Sequence, residues 1–478
     1  MADNENIILY EFAAEEFPGQ IKAALGELYP LFEQRNLIKI NVATGRLSLD
    51  YSGFAASGTK LVTVLPKYLR TQISNILDPA AKIKRTEGEA GKLYRLLKRN
   101  EYGLAGKKNI EVAAADFINE NSAGYTNELA VADFILNDYQ DNGLWSYTEK
   151  KILINAGGET DWELTVNNTD PVVVAGRPYY FETYSSADER ISDSVITQIH
   201  KYAVNYCNRR YGFILDLELA TLPDAAEDID DLGDSYALLY ALEKQLRITF
   251  REREILLLKA LAELLEIGFS QSDESISLYG RRDFEQVWEA ALQYCFNHDA
   301  NLRKTLFPLP EWFDVLTDEF LAVNINDTLK PDILRKISQN GQELLLVLDA
   351  KYYLLNFSNK SSFPPVGDIV KQYFYEAAVT RSVLGYKPED IVNAFIFPSQ
   401  AQLSSNWFQT AGHSTFDNDL FGMATTTGQI KKPLVSFVID PDAIFERYTR
   451  FKILTDEELL NFIKSWQSYM DNPLPEKS

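Results

Sequence analysis

Only two cysteines, Cys207 and Cys295, occur in the 478 residues. They cannot frame a disulfide scaffold, and neither has the Cys or His neighbours of a zinc site, so a reducing compartment is expected. Histidine is equally scarce, and His200, His298 and His413 lie far apart. No apolar run approaches the roughly 18 residues needed to cross a bilayer. The opening Met-Ala-Asp-Asn-Glu-Asn gives no basic lead into an apolar core, so it does not read as a signal peptide. A cytoplasmic protein without a membrane segment is expected. No fixed-period repeat and no low-complexity tract stands out. Positive charge is also short: 47 Lys and Arg face 69 Asp and Glu, a formal net charge of −22. Such a surface repels a phosphate backbone unless basic residues are concentrated locally. The charge either hints that a partner supplies part of any DNA affinity or only keeps an acidic protein soluble.

What is present is an ordinary globular composition, 46% hydrophobic and 24% charged, in a chain long enough for two to four domains. Residues 1–143 read as a mixed domain: a helix over 11–32, alternation over 37–51, a β-branched strand over 61–65 stopped by Pro66, and helices over 80–101 and 126–139. Residues 144–270 read as a connecting region. Extended pieces are expected at 151–155, 162–166 and 172–174, with a turn at Gly157-Gly158, a helix over 191–211, a polar loop over 223–234 and a long helix over 236–267. A break rich in Ser, Gly and acids at 268–277 precedes a third block, 271–450. That block opens with a helix over 283–296 and continues with two apolar strands, a helix over 368–384, and strands at 392–397 and 434–439. A C-terminal helix and tail fill 451–478, with Thr455 as N-cap and Glu458 as its reciprocal capping-box partner. The fold class expected is α/β, with a mixed sheet flanked by helices at the C-terminal end, behind a mixed α+β N-terminal domain and a helical connection.

The chemistry concentrates in Pro331-Asp332-Ile-Leu and Glu343-Leu-Leu-Leu-Val-Leu-Asp349-Ala350-Lys351. Five consecutive apolar residues, 344–348, read as a strand buried on both faces, with charge only where it emerges. Asp349 and Lys351 are two apart, so in a strand they share a face. Two carboxylates supply hard oxygen ligands for Mg²⁺, which keeps several waters. Such an ion polarises a scissile phosphate and lowers the pKa of a bound water. A neighbouring lysine positions the attacking water and offsets developing charge. The Ala350 carbonyl is a further candidate ligand. An Asp-x-Lys triplet alone is common by chance; its placement across one hairpin carries the signal. The helix Phe284-Glu-Gln-Val-Trp-Glu289-Ala-Ala-Leu292 sets Glu289 beside an apolar stripe, and by itself reads as a core helix with a solvated glutamate. In Gly367-Asp-Ile-Val-Lys-Gln-Tyr-Phe-Tyr-Glu376, the side chains of Lys371, Gln372 and Tyr373 stand where a phosphate or metal-bound water could be reached; alone it is an amphipathic helix.

Together these residues resemble the PD-(D/E)XK nuclease superfamily and, more narrowly, the McrC-like LlaJI restriction endonuclease family. The segments that carry the resemblance are TVLPKYL (63–69), GETDWELTV (158–166), ITQIHKYAVNYC (196–207), FEQVWEAA (284–291), PDIL (331–334), LVLDAKYY (346–353), GDIVKQYFYEAAV (367–379) and NAFIFPSQ (393–400). The resemblance runs from about residue 60 to 450, and the nuclease motifs are its specific part. It implies a C-terminal PD-(D/E)XK domain with Asp332 and Asp349 as metal ligands, Lys351 as catalytic lysine, Glu289 as the acid of the preceding helix and Gln372 as the supporting glutamine, with Tyr373 beside it. It implies Mg²⁺, with Mn²⁺ also accepted by an all-oxygen site. It also implies a restriction (anti-phage) subunit that cuts double-stranded DNA with an AAA+ GTPase partner of the McrB type, docked through the N-terminal region. The chain's nearest approach to a P-loop, Gly103-Leu-Ala-Gly-Lys-Lys108, lacks the GxxxxGK[ST] spacing.

Two rival functions stay open: a self-sufficient nuclease acting on DNA ends or branched structures, and a silent scaffold that activates the partner NTPase. His200 reads first as a helix-packing residue and second as catalytic. Lys67 reads as a turn residue before a phosphate or partner contact. Trp162 and Trp288 read as core anchors before base-stacking platforms.

Overall fold

The uninterrupted apolar residues 344–348 become the buried centre of a five-stranded sheet, each of them at most 2% exposed. The computed structural model describes residues 5–11, 18–42, 44–104, 128–156, 159–217, 219–269, 276–321, 329–339, 341–403, 406–416 and 432–471. In chain order the elements begin β1 (Glu5–Tyr10), α1 (Pro18–Leu25), α2 (Tyr29–Gln34), β2 (Ile38–Ile40), β3 (Leu47–Leu49), β4 (Ser52–Ser57), β5 (Lys60–Leu65), α3 (Leu69–Ser74) and α4 (Pro79–Leu104). There follow α5 (Glu128–Asn142), β6 (Tyr147–Ile154), β7 (Glu159–Thr160), α6 (Trp162–Asn168), β8 (Val172–Val174), β9 (Arg177–Tyr179), β10 (Tyr184–Ile191), α7 (Val195–Leu215), α8 (Ser235–Leu246), α9 (Glu252–Phe269) and β11 (Ile276–Arg281). The last part holds α10 (Glu285–Cys295), α11 (Leu302–Leu306), β12 (Trp312–Asp314), β13 (Glu319–Leu321), β14 (Ile333–Gln339), β15 (Gln342–Ala350), α12 (Val366–Thr380), β16 (Ile391–Pro398), β17 (Phe408–Ser414), β18 (Leu434–Ile439), α13 (Pro441–Thr449) and α14 (Asp456–Asp471).

These elements form two compact units, one drawn chiefly from residues 110–279 and the other from 5–55, 60–109 and 280–478. In the first, α5, α7, α8 and α9 pack on one another, and β6, β10 and β7 form an antiparallel sheet. Ser194 and Thr197 cap α7 reciprocally, satisfying backbone N–H groups that the first turn leaves open. Arg253 of α9 grips Asp138 of α5 through two hydrogen bonds, of 2.6 and 2.8 Å.

In the second unit, β1 runs parallel to β5. The five-stranded sheet has the order β14-β15-β16-β18-β17. Its outer pairs are antiparallel and its inner pairs parallel, which makes it mixed. Val347, Leu345 and Leu334 pack with Tyr375 and Val379 of α12, while Phe437 of β18 meets Phe462 of α14, ring centroids 4.4 Å apart. Successive strand residues face opposite ways, so α12 and α14 cover opposite faces of the sheet. At the β14 edge, the loop before α11 takes over the role of a neighbouring strand: Leu334 N–H donates to His298 Nδ1 at 2.9 Å, and Asp299 N–H donates to the Leu334 carbonyl at 2.8 Å.

Several local expectations are corrected. Residues 5–10 form a strand, and in the described part of 11–32 the helix begins only at Pro18. Residues 162–168 are helical rather than extended, because the Asp161 carboxylate caps Leu164 N–H at 3.0 Å. Trp162 is accordingly 60% exposed, whereas Trp288 is fully buried as a core anchor. The helix expected over 236–267 is two helices, broken at 247–251 where Thr249 turns its hydroxyl back to the Gln245 carbonyl. The turn at Gly157-Gly158, residues 105–108 of the P-loop-like stretch and residues 270–275 of the composition break lie outside the described residues.

Candidate active site

The β14–β15 hairpin turns through Gly341, whose φ of +81° only glycine adopts without strain. Its register pairs Ile333 with Leu348. One step further along the same ladder, Asp332 stands opposite Asp349. An Asp332 carboxylate oxygen accepts the Ala350 N–H at 2.8 Å, which locks it to the end of β15. Asp349 is nearly buried, and its carboxylate takes Lys351 Nζ at 2.7 Å, so the shared face expected from the two-residue spacing is realised. Lys351 N–H continues the pairing with β16 by donating to the Ile396 carbonyl at 2.8 Å. The lysine thus springs from a fixed backbone.

A residue not singled out in the sequence completes this row. Asp368, in the first turn of α12, holds Lys351 Nζ at 3.1 Å. Asp368, Gln372 and Tyr375 are spaced i, i+4 and i+7, one face of a helix; that spacing was the available signal. Gln372 is buried, and its amide donates to the Val347 and Ala394 carbonyls, both at 3.2 Å, bridging β15 and β16 behind the carboxylates. The Tyr375 hydroxyl is buried within the field of Asp349, Asp332 and Asp368. Lys371 is exposed, and Tyr373 faces elsewhere: its hydroxyl donates to the Lys432 carbonyl at 2.7 Å.

Glu289, on α10, belongs to the same electrostatic cluster. Burial, then the charges of Asp349 and Glu285, push its carboxyl above the ordinary range against the pull of Lys351 and Lys330. Asp332 is raised for the same reasons, burial first and then Asp349 and Glu289, despite the Ala350 hydrogen bond. Burial alone would lower the Lys351 ammonium, but Asp349 and Asp368 outweigh it and hold the group above its usual value. Crowded carboxyls of this kind favour a bound cation.

Among the described residues no three acidic, His or Cys side chains are grouped as a ready-made metal cage. The reason is visible in the geometry: Lys351 Nζ occupies Asp349, and Asp332 is turned to Ala350 N–H. The donors present are carboxylate oxygens and a backbone carbonyl, which suit a hard ion that retains several waters.

The histidines lie in structural roles. His200 is fully buried and accepts Trp145 N–H at 3.0 Å; His298 holds the β14 edge; His413 hydrogen-bonds Tyr469 at 2.7 Å. Lys67 lies over the Tyr352 ring, 4.0 Å from its centroid.

Set beside known proteins, the chain falls among the restriction endonucleases. It belongs to the LlaJI restriction endonuclease family, which matches residues 51–428. A curated relative is the Type II restriction enzyme BsuMI component YdjA of Bacillus subtilis (strain 168), 28% identical over 428 residues, or 88% of this chain and 85% of that protein. Two solved structures are similar at 14% identity. One is a half-complex from the tetradecameric assembly of Thermococcus gammatolerans McrB AAA+ hexamers with bound McrC, with a TM-score of 0.37 covering 96% of this chain and 100% of that one. The other is the Thermococcus gammatolerans McrBC complex, with a TM-score of 0.26 over 59% and 84%. Both scores are too low to argue from. No helix among the described residues is long and apolar enough to cross a membrane.

Proposed function

We propose that this chain is the Mg²⁺-dependent DNA-cutting subunit of a restriction system, with a PD-(D/E)XK site built from Asp332, Asp349 and Lys351. The observation that carries this reading is the junction of β14 and β15, where Asp332, Asp349 and Lys351 meet within hydrogen-bond reach of one short backbone stretch. Membership of a restriction endonuclease family supports the reaction class.

Asp332, Asp349 and the Ala350 carbonyl would hold the ion, with Glu289 close by; when bound, it supplies the Lewis acid and activated water of phosphodiester hydrolysis. Mn²⁺ fits the same oxygen donors. Lys351, steadied by Asp368, presents a positive charge where negative charge develops on the phosphate. Gln372 keeps the two strands, and hence the carboxylates, in register. The domain plan proposed alongside has a docking N-terminal region over 1–143, a connection over 144–270, a nuclease domain over 271–450 and a C-terminal helix. The partner proposed is an AAA+ GTPase of the McrB type, as the McrC-like motifs of the sequence imply. The substrate is double-stranded DNA.

The test compares wild type with Lys351→Ala on long duplex DNA, with Mg²⁺ or EDTA, alone and with such a GTPase plus GTP. Cleavage by wild type only, with metal and partner only, is the expected result. Cleavage without the partner identifies a self-sufficient nuclease. GTPase stimulation with no cleavage under any condition identifies a scaffold. Equal cutting by Lys351→Ala rules out the assigned site.

A further inference from the structure

The chain carries 22 more acidic than basic groups, yet α4 alone has seven basic residues and three acidic ones. They are not spread evenly around the helix. Ala90, Leu93, Tyr94, Leu96 and Leu97 are at most 4% exposed and fix which side of α4 is buried. The opposite side follows the spacing of Lys84, Gly88, Lys92 and Arg95, residues that fall on one face at 3.6 per turn. Lys84, Gly88 and Arg95 are exposed and Lys92 is half-buried.

We propose that this face of α4, through Lys84, Lys92 and Arg95 around Gly88, is a track for the phosphate backbone of duplex DNA. The proposal rests on the endonuclease reading for the identity of its polyanion and adds where this chain grips it.

Several features fit that occupant. Glu89 is 2% exposed, held by Lys92 at 2.8 Å and Arg85 at 3.0 Å, while the half-buried Glu87 lies beside Lys84 and Gly88. Asp442 takes the same two cations, 3.1 Å from each, and its carboxylate is less exposed than Lys92. At Gly88 an added Cβ would meet nothing within 4 Å, which leaves open space where a backbone can approach closely. From Lys84 to Arg95 the helix rises about 16 Å, or about five base-pair steps along the axis of B-DNA. The stripe also lies in the same compact unit as the candidate active site, and α4 packs directly on α10, the helix that bears Glu289. Asn100, at the far end of α4, accepts Arg281 Nη1 at 2.6 Å and anchors the helix there. An anionic membrane is the weaker fit, because the stripe itself contributes no apolar side chain.

The experiment measures binding of the full chain to a fluorescent DNA duplex by anisotropy, in EDTA, between about 50 and 200 mM salt. Lys84→Glu with Arg95→Glu is compared with Lys259→Glu with Lys464→Glu, two exposed lysines off the stripe that give the same charge change. Lys84→Gln with Arg95→Gln removes the charge without reversing it, and thermal melts establish that all three are folded. The stripe variants are expected to bind about tenfold or more weakly, with the slope of log affinity against log salt smaller by about two, while the control pair changes little. Stripe variants that bind like wild type, or lose no more than the control pair, overturn the proposal. So does loss of a GTPase partner's stimulation with DNA binding intact, which would make the face a protein contact. Because EDTA removes cleavage, this result is independent of whether Lys351→Ala cuts, so the grip and the active site succeed or fail separately.

Discussion

The Tyr352 hydroxyl donates to the buried Glu11 carboxyl at 2.9 Å, joining the end of β1 to the residue that follows Lys351. Glu11 N–H is held in turn by the Leu65 carbonyl, 2.8 Å away. Strands distant in sequence are thus tied to the end of β15 by one side-chain bond. Replacing Tyr352 by Phe leaves a buried polar group short of a partner, at a cost of about 1–3 kcal/mol. Chemical denaturation of the full chain measures it; an unchanged midpoint would remove Glu11 from this role.

Glu11 gives a pH signature. Burial, opposed by Lys67 and the Tyr352 bond, raises its carboxyl from 4.5 to about 7. A folded-state value above the unfolded one means the protonated carboxyl is favoured by folding. Its contribution is full below about 4.5 and is lost as pH rises through 7. Glu11→Gln, which cannot ionise, is expected to gain melting temperature relative to wild type from pH 5 to pH 8. A constant difference across that range contradicts the assignment.

Asp368→Asn removes one of the two carboxylates that steady Lys351. Cleavage is expected to fall about 10- to 100-fold, the usual effect of losing a group that orients a site residue. The melting temperature should change little, since Asp368 is partly exposed. An Asp368→Asn protein that cuts at the wild-type rate excludes the residue from the site.

Gln372→Leu withdraws the amide donor from the Val347 and Ala394 carbonyls. The expected loss is about 1–3 kcal/mol, read from denaturant unfolding. Full stability in the variant would show that the amide does not brace the strands.

His200 titrates in the opposite sense to Glu11. Burial lowers its imidazole from 6.5 to about 4, with Asp138 opposing and Arg253 assisting the shift, and the Tyr139 ring stands edge-on 6.3 Å away. The neutral form is the one that accepts Trp145 N–H. Stability is therefore complete above 6.5 and is lost as pH falls towards 4. His200→Asn, which keeps an acceptor near Nδ1 without a proton to gain, is expected to flatten melting temperature over that interval; an unaltered pH profile counts against it.

The hairpin was legible because its signal is local. Five apolar residues bounded by charge announce a strand buried on both faces, and Asp349 and Lys351 share a side by parity alone. The capping box at Thr455 and Glu458 was legible for the same reason: Glu458 N–H donates to Thr455 Oγ1 at 3.2 Å, and Thr455 N–H returns to Glu458 at 2.8 Å. Asp368 and Glu11 were not, since each owes its place to a partner far along the chain, 17 residues away for Lys351 and 341 for Tyr352. β17 was hidden by its polar sequence, FQTAGHS, which becomes a strand only because β18 offers it an antiparallel ladder. Trp162 misled because an aromatic, β-branched stretch favours a strand until the Asp161 cap is taken into account.

The His298 and Asp299 clasp on Leu334 has a bearing on assembly. β14 ends its sheet, and an exposed strand end is where a foreign strand adds. At Leu334 both backbone groups are already taken, two residues from Asp332. A second polypeptide therefore finds no free backbone group at Leu334, and strand addition at this edge is blocked next to Asp332.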